Sequence, residues 1–412
     1  MQARADRPSS GWKLVLLCFL AQNLAMGLAY GSFGPLLAST EQHFGITRTV
    51  ATTGISLITL AIGGLSPLLG GLMQRVPVRS AMIGGALLSA LGYWGLAVLP
   101  SFPLALLMYG LIGTGVSLTA ILGPLTLINR WFTDGRAKLL GIVNLPIVLF
   151  ATPFLVAELL PVVGRLTILG AMGTIFLVLI PLLLLIEENP SREVPRGSGA
   201  APVAQPASTE RLLSTRELLS SPPFWLLSLA IGVMAGSGTA FVVHIVPFGM
   251  ERDMTLQSAS GLLSTYAGAG IIGTLLFGTI ADRIGPPSAL VLTTFCQALL
   301  WWGLLHVTGA PLYLLAGLLG ICVVPLTTLH GAALSELVGP ANISRAMGVS
   351  YAIKLPFIFT FAPFVSFLFD RAGGYRVPFL VTSATLVVAC LFFLMMVFAV
   401  RKQGRSSEAV AL

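Results

Sequence analysis

The chain has 412 residues, of which 56% are hydrophobic and only 9% charged, whereas about a quarter of a soluble globule's residues carry charge. Too little polar surface exists to cover a soluble body of this size, so the composition is that of an integral membrane protein. The formal charge of +8 does not point to nucleic acid, because the basic residues stand singly at the ends of apolar runs, as membrane topology distributes them.

Taking about 20 residues as one crossing, apolar runs fall near 12–39, 48–73, 79–99, 103–130, 136–160 and 164–186, then 223–250, 257–281, 287–307, 311–338, 342–369 and 376–400. The first is longer than the core of a signal peptide, about 7–15 residues, and is expected to stay in the mature protein. The expected fold class is an all-α membrane protein of twelve transmembrane helices in two pseudo-symmetric six-helix bundles. The bundles are expected at 1–186 and 222–412. Between them, residues 187–221 are rich in Pro, Ser, Ala, Glu and Arg, too poor in apolar surface to fold, and read as a linker.

Alternate loops divide the cations unevenly. Seventeen Lys and Arg fall on the side of the termini and the linker, and only Arg48, Arg165, Arg252, Arg371 and Arg376 on the other. This places both termini and the linker in the cytoplasm of a cell-membrane protein. The remaining cation, Lys354, belongs to neither side. Cys18, Cys296, Cys322 and Cys390 lie inside apolar runs with no CxxC spacing and read as small buried hydrophobes, not as disulfide or metal positions.

The two halves repeat. Asn144-Leu145-Pro146 with Pro153-Phe154 recurs as Lys354-Leu355-Pro356 with Pro363-Phe364, 210 residues on. The loop after the second run, Gly70 to Arg79, has its counterpart after the eighth, Gly278-Thr279-Ile280-Ala281-Asp282-Arg283-Ile284-Gly285; Gly70 and Gly278, like Arg75 and Arg283, are 208 apart. Equal helix numbers make these parallel repeats about an axis along the membrane normal.

The Gly-x-x-x-Asp-Arg-x-Gly loop, with the twelve-run layout, resembles the major facilitator superfamily. Asn129-Arg130-Trp131-Phe132-Thr133-Asp134-Gly135-Arg136 and Val243-His244-Ile245-Val246-Pro247 resemble its branch of bacterial oxalate/formate exchangers and monocarboxylate transporters. The resemblance implies alternating access around a midplane site. It also implies an anion-binding lysine in helix 11, and a gating role for Asp282 and Arg283, with Arg75 as their first-half counterpart. The chain departs from the pattern at Gln74, where the signature has an acid, and at Pro77, where it has glycine. It also has Thr274 where the branch typically has a helix-8 arginine, which leaves the usual carboxylate clamp incomplete.

An ammonium at bilayer depth costs about 2.5–3.5 kcal/mol, so Lys354 needs a reason to be there. Glu158, Glu251, Asp282 and Glu336 lie near helix ends, and no carboxylate shares its depth. A cation so placed either loses its proton or meets a mobile counter-ion; the alternative is a lysine snorkelling to an interface or held by carbonyls and polar side chains. His244, two turns from a helix end, suits proton exchange or donation to a carboxylate. Tyr30 and Asn23, seven apart on one helix face, are further substrate-binding candidates, though helix–helix contacts explain these two equally well; Asn144, Tyr266 and His330 complete the set.

No P-loop, metal spacing or triad-like grouping is present in the sequence, so no enzyme, cofactor or metal is expected. The expectation is a monomeric secondary active transporter for a small organic anion, a mono- or dicarboxylate. Proton symport or anion exchange would drive it, and its partners are the substrate, protons and the lipid bilayer, with no nucleic acid. The alternatives are an exporter of drugs or neutral metabolites with the same fold and, more distantly, a receptor-like membrane protein.

Overall fold

The computed structural model describes residues 8–73, 75–132, 136–188, 213–339 and 342–410. All elements among them are helices. A bilayer demands this, because hydrocarbon offers no partner to an unsatisfied peptide group and each segment must close its own hydrogen bonds. Gln74, Thr133, Asp134 and Gly135 of the sequence motifs, and 189–212 of the expected linker, lie outside the described residues.

Ten segments among the described residues are long and apolar enough to cross a membrane. Two irregularities raise the crossings to the expected twelve. The first is α2, whose parts Arg48–Gly64 and Ser66–Met73 are too short singly and are separated by Leu65. The second is the helix Ile147–Leu184, which turns at Gly164 with φ 77° and ψ 165°, a conformation open to glycine alone. Run straight, its 38 residues would reach about 57 Å, against a hydrocarbon core of about 30 Å. The turn makes two crossings of it, α5 (Arg136–Val143 and Ile147 to the bend) and α6 (the bend to Leu184).

The remaining helices of the first half are α1 (Pro8–Gly31 and Phe33–Phe44), α3 (Val78–Val98) and α4 (Phe102–Trp131), which loosens to a π-helical turn at Ser117–Leu122. The second half contains α7 (Pro222–Glu251), α8 (Leu256–Ile284), α9 (Pro286–Gly303), α10 (Ala310–Val323 and Leu326–Val338), α11 (Ile343–Ala372) and α12 (Arg376–Val410). The duplicated proline-framed motif folds differently in its two copies. Helix α5 is interrupted at Asn144–Pro146, while α11 runs on through Lys354, Pro356 and Pro363.

The chain forms two compact units, Met1–Arg192 with Val242–Ser264, and Glu193–Phe241 with Thr265–Leu412. The last part of α7 and the first turns of α8 thus pack with α1–α6. Two contacts within the first unit account for it. A methyl at Gly34 of α1 would meet Val242 O at 3.0 Å, so this glycine admits the α7 backbone, and Gln257 Nε2 donates to Ala157 O at 3.4 Å. In the second unit an aromatic column runs from Tyr266 through Phe241 (4.6 Å between centroids) and Trp301 (5.7 Å) to Phe379 (4.7 Å). Such packing replaces the hydrophobic drive that helices lack among lipid tails.

Candidate functional site

Lys354 lies at the middle of α11 and is only 6% exposed. Its ammonium sits 3.3 Å from the centroid of the Tyr351 ring. The two are three residues apart, the spacing that puts side chains on one helix face. Among the described residues no carboxylate pairs with the lysine. A desolvated cation–π contact contributes about 2 kcal/mol, enough to offset most of the insertion cost of about 2.5–3.5 kcal/mol. The lysine is thus held at this depth by a ring, with no carboxylate beside it among the described residues.

His330 joins the same cluster from α10. It is fully buried, with Nε2 2.9 Å from Ser350 Oγ and its ring 5.9 Å from that of Tyr351. Its Nδ1 is buried without a hydrogen-bond partner among the described residues. Two of the residues singled out from sequence, Lys354 and His330, thus meet around a ring that sequence reasoning passed over. Tyr351 and Ser350 stand three and four residues before Lys354, and that helical spacing was the available signal.

The amide candidates gather elsewhere, at the break in α5. Asn23 Oδ1 accepts from Ile147 N (3.0 Å) and Val148 N (3.2 Å), while its Nδ2 donates to Val143 O (3.3 Å). Asn144 Nδ2 donates to Leu140 O at 2.8 Å, and its Oδ1 accepts from Gln22 Nε2 at 2.7 Å. An amide offers both donors and acceptors, which is what an interrupted helix needs on its two sides. Tyr30 Oη lies 3.1 Å from Thr59 Oγ1. These three candidates are engaged in holding α1, α2 and α5 together.

Tyr266 is buried in the aromatic column, and the Thr274 hydroxyl donates to Gly270 O of its own helix at 3.0 Å. His244 is fully buried in the part of α7 that belongs to the first unit, whereas Lys354 belongs to the second. Arg75, Asp282 and Arg283 are exposed; among the described residues their side chains form no ion pair or hydrogen bond. Arg165, counted above only for topology, lies 5.2 Å over the Phe44 ring. It lines a cavity of about 20 Å³ with Ser32, Thr40, Tyr93 and Tyr109, room for about one water.

The family model described as Major Facilitator Superfamily matches residues 19–316 and 253–411. The chain belongs to that superfamily. This facilitator is 24% identical over 408 residues to the oxalate:formate antiporter of Oxalobacter formigenes, covering 96% of this chain and 92% of the relative. With monocarboxylate transporter 12 of Xenopus laevis it shares 25% identity over 214 residues, 48% of this chain and 45% of that one. The facilitator's fold is similar to the crystal structure of the nucleoside transporter NupG, with a TM-score of 0.75 at 13% identity, covering 94% and 99% of the two chains. The fold and the branch read from the Asp282-Arg283 loop, the twelve runs and the His244 segment are borne out.

Proposed function

We propose that this multi-pass facilitator is a secondary active carrier of small organic anions, mono- or dicarboxylates, in the cell membrane, with both termini cytoplasmic. The observation that carries the reading is Lys354, a cation buried at the centre of α11 whose sole close partner among the described residues is the Tyr351 ring. An anion at that amine gains a charge-assisted hydrogen bond, and losing the ring contact is the smaller cost. The printed names of the relatives, an oxalate:formate antiporter and a monocarboxylate transporter, support the same class.

In this reading the repeats 1–186 and 222–412 rock about the site, with 187–221 as their link. Arg75, Asp282 and Arg283 close the cytoplasmic side, an assignment that rests on the resemblance. Asn23, Asn144, Tyr30 and Tyr266 shape the helices that carry the site, and His244 remains a second proton-exchanging candidate. Proton symport or anion exchange supplies the energy, and the unit that works is the monomer.

The test is thermal stabilisation of the purified protein by formate, oxalate and acetate beside their neutral amides. A ligand that binds only the folded carrier raises its apparent stability with concentration. Carboxylates are expected to do so and the amides not. A panel in which only neutral, lipophilic compounds stabilise would instead support an exporter of neutral molecules, a reading that the self-bonded Thr274 hydroxyl, in place of a second cation, makes worth including.

A further inference from the structure

Two groups able to carry positive charge flank the Tyr351 ring, the Lys354 ammonium at 3.3 Å and the His330 imidazole at 5.9 Å. They lie no further apart than those two spacings placed end to end. From α11, His330 is faced by Ser350, Tyr351 and Lys354. Among the described residues no titratable group of α9, which also packs on α10, makes a hydrogen bond, ring contact or electrostatic contact with it. Glu336, six residues along its own helix, is exposed.

A second positive charge here meets two costs, burial first and then repulsion from the Lys354 ammonium while that is charged and unmatched. An anion arriving on Lys354 cancels that repulsion and makes room for a second proton. The Ser350 contact suggests the atom to receive it. In the tautomer whose Nε2 donates to Ser350 Oγ, the buried Nδ1 holds an open lone pair that no group among the described residues uses.

Building on the anion-carrier reading, we propose that His330 is the proton-coupling residue: one proton on its Nδ1 and one negative charge at Lys354 bind as a pair, cross together and leave together. The imidazole returns neutral, and no other group need change its protonation. Linkage makes the effect reciprocal, so a proton on His330 tightens the anion as much as the anion tightens the proton. Ser350 is the positioning residue that fixes the ring.

The experiment measures initial uptake of radiolabelled oxalate and formate into proteoliposomes, with protein-free vesicles subtracted, between about pH 5.5 and 7.5, where both substrates stay ionised. Uptake by the wild type is expected to rise as pH falls, by up to about tenfold per unit on the alkaline side of the imidazole's titration. His330→Gln keeps a donor for Ser350 but cannot take the proton. It is expected to flatten the profile. Ser350→Ala, which keeps the titratable ring, is expected to retain the rise.

A His330→Gln carrier that keeps the pH response overturns the proposal. So does one that reaches the membrane with normal thermal stability yet loses exchange and pH response together, since His330 would then hold substrate and not the proton. A wild type that moves both anions with a flat profile leaves the carrier reading intact and removes the coupling; one that moves neither removes the carrier reading itself.

Discussion

Lys354→Gln separates a transport role from a structural one by the sign of its effects. In the empty carrier two terms oppose, an insertion cost of about 2.5–3.5 kcal/mol and a return of about 2 kcal/mol from the seat 3.3 Å above the Tyr351 ring. The lysine is left roughly 1 kcal/mol unfavourable. Glutamine should therefore leave the ligand-free protein as stable as the wild type, or more stable by up to about 1 kcal/mol. With a carboxylate present the order reverses. Losing a hydrogen bond to a charged group costs about 1.5–3 kcal/mol, which raises Kd by about ten- to a hundredfold. At a carboxylate concentration a hundred times the wild-type Kd, the wild type gains about 2.7 kcal/mol and the variant about 0.4–1.4 kcal/mol. Unfolding midpoints with and without oxalate, for both proteins in one detergent, give the comparison. If Lys354→Gln lowers the ligand-free midpoint and keeps the full oxalate shift, the lysine is a structural residue and the reasoning fails.

Three further changes probe the frame around the site. Asn23→Leu removes the acceptor for Ile147 N and Val148 N and the donor to Val143 O, each worth about 1–3 kcal/mol when left buried and unmade, so a drop of several kcal/mol in thermal or denaturant stability is expected. Gly320→Ala drives a methyl into the Tyr266 carbonyl, whereas Gly278→Ala meets nothing within 4 Å; the first should cost about 1–3 kcal/mol and the second leave the midpoint unchanged. Tyr30→Phe removes the contact with Thr59 and should lower stability by about 1 kcal/mol while uptake stays within twofold; a tenfold loss of uptake in a normally stable variant would make Tyr30 a substrate ligand instead.

The crossings were legible because length and hydropathy are set by the bilayer, a solvent that tolerates few alternatives. Lys354 stood out for the same reason, since charge at depth is costly enough to be noticed without a structure. The interruptions were harder to see. Leu65, which separates the two parts of α2, is unmarked itself but stands between Gly63-Gly64 and Ser66-Pro67, residues that weaken a helix, and Pro146 and Pro356 share a motif although only the first lies at a break. Whether a proline interrupts a helix depends on what stands nearby to take up the freed backbone groups, and Asn23 is more than a hundred residues from the break it repairs. Tyr351 was missed through attention to charge alone, and His330's partner Ser350 because a serine in a membrane helix ordinarily bonds back to its own carbonyls.

The unequal copies of the proline-framed motif have a consequence for how such a carrier can move. In one copy an amide repairs a severed rod, and the joint is held by side-chain bonds in place of backbone ones. Its twin stays a stiff spar with the ammonium at its centre. On the carrier reading, loosening the first should alter the rhythm of the cycle, while disturbing the second should alter what is carried.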